Sequence, residues 1–336
     1  MRSRPRSDRR SSRAIARRVG ALLASSALVL GLAACGSSGS SSSGSSSASA
    51  ASSSSTATSA ASGPGAGKPA VTIGDKNFAE ENILGQLYAQ ALKAKGFTIN
   101  LKSEIGSTEI IYKALTAGQI DMYPEYTGVL LSAVAGQTKN PSSASQAASE
   151  AKAYVEKHGF TLLDTTPFYD SNVLITQPAY ASAHKLASIA DLKPLGKSVK
   201  IGGAPEFATR FEGLPGIKAE YGVAPTFVPV SIELSYKAIE GGQVNVQSVF
   251  STDGQLLSGK FNELADPKHV FGFQNVAPVV KQSVLSAEGP AFAETINRVS
   301  ALLTIPAIQQ MNKAVSIDKQ SPASVAEQFL KANALA

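Results

Sequence analysis

From Val71 onward the spacing of apolar positions switches repeatedly between a period of two and a period near 3.6. "AVTIG" alternates as a strand does, and "AEENILGQLYAQALKAKG" puts Ile83, Leu84, Leu87, Tyr88, Ala91 and Leu92 on one face before Gly96 closes the helix. "FTINLKSEI" alternates again. Ser107 can cap "STEIIYKALTAG", with Ile110, Ile111, Ala114 and Leu115 turned inward and Gly118 at the end, and "IDMY" follows as a short buried strand. This β-α-β-α-β order predicts a largely parallel sheet with helices on its faces. A second block of the same kind runs from about Val173 to Phe271. It reads as strand "VKIGG" (199–203), helix "EFATRFEGLPGIKAEYG" (206–222), strand "TFVPV" (226–230), helix "ELSYKAIEGG" (233–242) and strand "VNVQSVF" (244–250).

The two blocks echo each other. "IYKALTAGQIDMYPEYTG" and "SYKAIEGGQVNVQSVFSTDG" each carry Tyr-Lys-Ala, a Gly-Gln turn, a strand, and a polar turn with an aromatic residue at the strand's carboxyl end. Open α/β sheets bind ligands outside the carboxyl ends of their strands, so two such lobes facing each other define a cleft. In "YPEYTG", Pro124 is expected to end the sheet ladder, Glu125 to enter the first turn of the next helix, and Tyr126 to face the cleft. Tyr123 reads as the structural end of a strand.

The first seventy residues have a different character. Residues 1–34 hold eight arginines and one aspartate, then an apolar run from Ala21 to Ala34 that is too short for a membrane span, which is the pattern of a secretion signal. It ends Leu32-Ala33-Ala34-Cys35-Gly36, which resembles the lipobox of bacterial lipoproteins. That resemblance implies cleavage before Cys35, acylation of its thiol and an extracytoplasmic, lipid-anchored protein. Residues 35–69 are almost all Ser, Ala and Gly and cannot bury a core, so they read as a disordered tether with a reach of about 30–35 Å.

Charge and residue counts narrow the chemistry. Subtracting the +7 of residues 1–34 from the net +6 of the chain leaves −1, so nothing basic remains to bind nucleic acid. Cys35 is the only cysteine, which excludes disulfides and thiolate metal sites from the folded part. His158, His184 and His269 are scattered, with no HExxH spacing; there is no G-x-S-x-G elbow and no phosphate loop. The expectation is a binding protein rather than an enzyme, with no metal and no cofactor.

"IGDKNFAEENILGQLYAQAL", "GSTEIIYKALTAGQIDMYPEYTG", "LSYKAIEGGQVNVQSVFSTDG" and "APVV" resemble the osmoprotectant-binding lipoproteins of ABC importers, which take up glycine betaine, choline, carnitine or related quaternary amines. The likeness covers essentially all of residues 71–336. It implies an α/β, type II periplasmic-binding-protein fold with a ligand cleft between two lobes. Lobe 1 would comprise residues 70–173 and 275–336 and lobe 2 residues 174–274, with crossovers near Val173–Gln177 and Phe273–Pro278. It also implies a monomer that delivers a small quaternary-ammonium or zwitterionic ligand to membrane permease subunits. A different small ligand, such as an ergothioneine-like betaine or a polar amino acid, or a sensor role for a membrane kinase, fits the same features.

A quaternary ammonium has no hydrogen to donate, so proteins hold it with aromatic faces and oxygens, each cation-aromatic contact contributing about 0.5–2 kcal/mol. A carboxylate tail calls for lysine or arginine. By motif position Lys76 and Arg210 match the family's carboxylate-binding pair and Tyr126 matches a cage tyrosine. Phe250 stands where a second tyrosine is common. Val173 and Gln274 fall where two further tyrosines are expected, and Tyr169 or Phe273 could supply aromatic surface nearby. Each residue has a plainer alternative: Lys76 as an exposed lysine, Arg210 as a partner of Glu206 one turn back, Phe250 as core, and Asp253 as a helix cap.

Overall fold

The computed structural model describes residues 63–335. The signal segment, Cys35 and residues 35–62 of the tether lie outside the described residues. In lobe 1, β1 (Val71–Gly74) pairs in parallel with β2 (Ile99–Lys102) and β3 (Met122–Tyr126). Helices α1 (Ala79–Ala94) and α2 (Thr108–Thr116) make the connections. After α3 (Ala144–Glu156) comes β4 (Phe160–Leu162).

In lobe 2, β5 (Asn172–Thr176) is followed by α4 (Pro178–His184), β6 (Lys200–Gly203), β7 (Thr226–Pro229), α5 (Ser235–Glu240), β8 (Val246–Phe250) and β9 (Asn262–Leu264). The chain then returns to the first sheet as β10 (Val276–Lys281) and ends in α6 (Gln282–Glu288), α7 (Pro290–Leu302), α8 (Ile305–Ser316) and α9 (Pro322–Ala332).

The sheets have equivalent orders, β2-β1-β3-β10-β4 and β7-β6-β8-β5-β9. In each, three strands are parallel, and the antiparallel neighbour of the third comes from a distant part of the chain: β10 beside β3, β5 beside β8. That exchange joins the lobes twice. The two passages run side by side, with Thr166 N donating to Val276 O (2.8 Å) and Asp170 N to Gln274 O (3.0 Å). The first lies earlier than the expected crossover, since residues 173–176 sit inside β5, while the second, at Gln274 and Val276, falls within the expected 273–278.

The apolar face of α1 is buried as its spacing predicts, packing Ile83, Leu84 and Leu87 into one cluster with Phe292, Ile296, Ile308, Val325 and Leu330 of the C-terminal helices. Lobe 2 has its own core around Leu174, Ile201, Ile217 and Val246. Burial of such side chains is the main favourable term in folding.

Four expectations need correction. Ile110 is 55 % exposed, because α2 buries the face of Ile111 and Leu115, and Ile110 lies a hundred degrees round from it. The helix expected over 206–222 is broken into a 3-10 turn at Pro205–Ala208 and two short turns over 214–221. Gly213 breaks it: its backbone (φ −134°, ψ −141°) is non-helical, and a Cβ there would sit 2.1 Å from Phe207 O.

Pro124 does not end the ladder, nor does Glu125 enter a helix; β3 runs unbroken from Met122 to Tyr126. Pro124 faces Pro278 of β10, a position at which neither nitrogen is needed across the pair, and Pro278 O turns away to accept from Leu163 N (2.9 Å). Finally, the last residues of the expected tether belong to lobe 1: Gly65 N donates to Lys95 O (3.0 Å) and Lys68 Nζ to Ala287 O (2.8 Å), fastening residues 63–69 to it.

Candidate ligand-binding cleft

The carboxyl ends of β1 and β3 in lobe 1 and of β6 and β8 in lobe 2 meet at a cleft whose walls include Lys76, Phe78, Tyr126, Arg210 and Phe250. On the lobe 1 side, β1 leads into Asp75 and Lys76, both buried, and α1 then begins at Phe78 with Glu80 and Glu81 buried in its first turn. Carboxylates in the first turn meet the positive end of the helix dipole.

Lys76 is 3 % exposed. Its ammonium donates to Glu125 Oε1 in a short contact, lies 3.7 Å from Glu81 Oε1, and stands 4.4 Å from the centre of the Tyr126 ring. Glu125 is fixed in turn by the Tyr123 hydroxyl (2.9 Å), Tyr126 N (2.7 Å) and the Thr108 hydroxyl (3.3 Å). Tyr123 is thus structural in a specific way, as the donor that holds the partner of Lys76. Burial pushes the Glu81 carboxyl up to about 8, against the pull of Lys76.

Tyr126 is nearly buried, and its hydroxyl donates to Glu80 Oε1 at 2.8 Å. Glu80 Oε2 accepts from the Thr252 hydroxyl of lobe 2 (2.5 Å) and from Asn312 Nδ2 of α8 (2.9 Å), so one carboxylate gathers three separate parts of the chain. Burial raises the pKa of Glu80, and the donors from Thr252, Asn312 and Tyr126 oppose that rise.

The Phe78 ring stacks beside Tyr126 (centroids 6.2 Å, planes at 26°) and beside Phe250 of lobe 2 (5.4 Å, 24°). Three nearly parallel rings therefore form a row across the cleft. Phe250 is not core; it is half-buried at the end of β8.

Lobe 2 and the first passage between the lobes contribute mainly oxygen. Asp170 is buried and accepts from the Ser251 hydroxyl (3.3 Å) and Thr252 N (3.4 Å); burial, and then the charge of Glu80, pushes its carboxyl well above the usual range. Asp253 precedes a 3-10 turn over Gly254–Ser258 without capping it. Its side chain folds back to accept from Tyr236 OH (2.9 Å) and Phe250 N (3.2 Å), and burial raises its pKa to about 6.

Arg210 does not pair with Glu206 through its side chain. It reaches across the cleft to Glu109 of α2, donating Nε at 3.0 Å and Nη2 at 2.8 Å. Burial alone would raise Glu109, but the hydrogen bonds from Arg210 and Ser107 outweigh it and hold the carboxyl near 2.

The structure thus brings Lys76, Tyr126, Arg210 and Phe250 to one cleft, while giving both cations carboxylate partners within the protein. Of the residues standing where tyrosines were expected, Gln274 is buried, accepting from Val129 N (2.9 Å) and donating to Phe271 O (3.1 Å). Gly128 makes room for it, since a Cβ there would lie 2.6 Å from Gln274 Nε2. Val173 packs in the lobe 2 core, Tyr169 is 47 % exposed, and Phe273 packs against the lobe 1 core, so none of these three lines the cleft.

Sequence reasoning missed Phe78 and Asp170. Phe78 had a signal, because an aromatic residue stands just ahead of the helix's periodic face in "KNFAEEN"; Asp170 had none. Among the described residues no His, Cys, Asp and Glu cluster could hold a metal ion, and no helix is long and apolar enough to cross a membrane.

Residues 69–332 match the family model described as the substrate binding domain of ABC-type glycine betaine transport systems. The chain is 28% identical over 278 residues to the glycine betaine-binding protein YehZ of Escherichia coli K12, covering 78% of this chain and 90% of that one. It is 30% identical over 271 residues to a glycine-betaine-binding protein of Pseudomonas aeruginosa, covering 77% of this chain and 86% of that one. A crystal structure described as a glycine betaine/carnitine/choline ABC transporter superposes with a TM-score of 0.64 at 24% identity, covering 79% of this chain and 99% of the other. The fold is that of the type II periplasmic binding proteins.

Proposed function

Because this chain belongs to the family of substrate-binding domains of ABC-type glycine betaine transport systems, we propose that it captures a small quaternary-ammonium or zwitterionic osmolyte of the glycine betaine, choline or carnitine class. The family is one of extracytoplasmic substrate-binding proteins that work with ABC permease components, and its members are not enzymes. The finer reading is of a monomer, lipid-anchored at Cys35, with a flexible tether ahead of the two lobes. In this reading the lobes divide close to the boundaries expected from the sequence, residues 70–173 with 275–336 and residues 174–274, with β5 from Asn172 assigned to lobe 2.

The observation that carries the ligand class is the row of rings Tyr126, Phe78 and Phe250. It supplies aromatic surface from both lobes to one space, next to the oxygens of Asp170 and Asp253. An onium group held there touches both lobes at once, so binding favours closure, a hinge motion familiar in such two-lobe proteins. Lys76 and Arg210 act in this reading on either side of the row, Lys76 by fixing Tyr126 and Arg210 at the cleft mouth.

A thermal-shift series with glycine betaine, choline, carnitine, ergothioneine and polar amino acids tests the reading. A ligand present at a hundred times its dissociation constant stabilises by about 2.7 kcal/mol, which is readily seen as a raised melting temperature. Stabilisation by at least one quaternary amine, recovered chemically unchanged, is expected. If amino acids stabilise the protein and none of the quaternary amines does, the ligand class is wrong.

A further inference from the structure

The charges of the cleft do not balance among themselves. Its lining carries two cations, Lys76 and Arg210, and four carboxylates, Asp170, Glu206, Glu212 and Asp253. Both cations are engaged by carboxylates that are not part of the lining: Lys76 by Glu125 and Glu81, Arg210 by both oxygens of Glu109. Among the described residues none of the four lining carboxylates takes part in an ion pair.

Glu212 is the most exacting of them. It is 2 % exposed, lies in the cleft wall, and among the described residues neither carboxylate oxygen has a hydrogen-bond partner. The Ser132 hydroxyl of lobe 1 lies close enough to lower the Glu212 carboxyl, but its hydrogen bond, at 3.3 Å, goes to Val129 O. Asn172, opposite Phe250 in the β5–β8 ladder, donates to the Glu212 carbonyl (3.3 Å), which ties this carboxylate's backbone to the aromatic row.

A buried carboxylate with no well-formed hydrogen bond and no ion-pair partner is costly, and it either takes up a proton or waits for a partner. Burial pushes Glu212 up, with Ser132 and the Arg210 charge pulling it down. A cation entering the cleft supplies the missing charge. A carboxylate entering the same cleft finds both cations already held by carboxylates, and every wall carboxylate that is ionised repels it at short range.

We propose that Glu212 sets the charge class of the ligand: the cleft takes a small organic cation carrying an O–H or N–H donor, with the onium group on the aromatic row and the donor at Glu212, in preference to a zwitterion. This rests on the ligand class proposed above and narrows it to the members without a carboxylate.

Choline and glycine betaine make the comparison directly, since they share the trimethylammonium head and differ in carrying a hydroxyl or a carboxylate. Calorimetric titration of the full chain is expected to give at least tenfold tighter binding of choline. Glu212→Gln keeps size and shape while removing the charge, and is expected to shrink the choline-to-betaine affinity ratio tenfold or more. A structural role for Glu212 would weaken both ligands together and leave the ratio in place. Glycine betaine binding as tightly as choline to the parent, or a ratio unmoved by Glu212→Gln, overturns this inference while the wider ligand class stands. Absence of binding by both overturns the inference and tells against the wider class too. Should Glu212→Gln fail to fold, the parent's ratio decides alone.

Discussion

Arg210 of lobe 2 and Glu109 of lobe 1 form a two-point bridge across the mouth of the cleft, the guanidinium Nε and Nη2 each meeting a separate carboxylate oxygen. Glu109 is 44 % exposed at its side chain and Arg210 15 %, so solvent screens the pair. Its net worth lies near the about 0–1 kcal/mol typical of such bridges. That is too little to hold the fold but enough to bias an equilibrium between open and closed lobes.

Glu109→Gln is therefore expected to leave the melting temperature nearly unchanged and to raise the radius of gyration of the ligand-free protein in small-angle scattering. The same bias has a pH signature. Because the Glu109 carboxyl is held near 2, its contribution to closure is complete above the ordinary carboxylate range and fades as pH falls toward 2. An unchanged radius in Glu109→Gln and across an acid titration would show that the bridge does not govern opening.

Tyr126 is expected to separate ring from hydroxyl. Tyr126→Ala removes the π-face and should weaken a quaternary-ammonium ligand by about 1–2 kcal/mol, roughly five- to thirtyfold. Tyr126→Phe keeps the face but leaves Glu80 without one of its donors, so it should lower stability by about 1–3 kcal/mol while costing less affinity. Calorimetry with denaturant titration of the same two variants reads both effects; equal affinity in Tyr126→Ala and the parent would make the ring purely structural.

Lys76 and Glu125 are both essentially removed from water, and among the described residues Glu125 has no other cation within ion-pair distance. Lys76→Met should destabilise the protein by about 3–5 kcal/mol, because it strands a buried charge. The double variant Lys76→Met with Glu125→Gln should recover part of that loss. Urea unfolding of the single and double variants measures the coupling, and additive losses would refute it.

Stability is expected to fall as pH rises from about 4 to 8, the Asp75 and Asp253 parts being lost by about 6 and the Glu81 part by about 8. Burial raises Asp75 and Asp253 to about 6 and Glu81 to about 8, so the native state holds protons there that the unfolded chain has released. Raised carboxyls favour the fold fully below their unfolded pKa, and the advantage disappears as pH climbs through the folded value. Glu81→Gln should flatten the upper part of the melting-temperature profile, between about pH 6 and 8; an unaltered slope would assign it to other groups.

Cys35→Ser should release the protein from membranes into the soluble fraction. The Leu-Ala-Ala-Cys ending of the signal segment motivates this, and fractionation after expression checks it. Retention of the serine variant on membranes would require another anchor.

The strands and the main helix of each lobe were legible because their cause is local. Period-two and period-3.6 burial is written along the chain, so β1, α1, β3, β6, α5 and β8 appear close to where alternation and amphipathy put them. The repeated Gly-Gln turn and strand likewise disclosed two equivalent strand ends, and from them a cleft holding Tyr126 and Phe250. The broken segment over 205–221 escaped, since helical spacing there is overruled by a close approach of Gly213 to Phe207 that no local pattern records.

What the sequence determined by itself was the α/β class, the paired lobes and the residue types available to the cleft, because periodicity and composition act through neighbours along the chain. What only the tertiary structure decided was who partners whom. Pro124 continues a strand because Pro278, more than 150 residues away, faces it. Lys76 belongs to Glu125 and Arg210 to Glu109, while among the described residues Glu212 is left with no hydrogen-bond or ion-pair partner. Hydrogen bonds and ion pairs act over a few ångströms of space, and that space is filled by segments brought together only when the two sheets exchange β5 and β10.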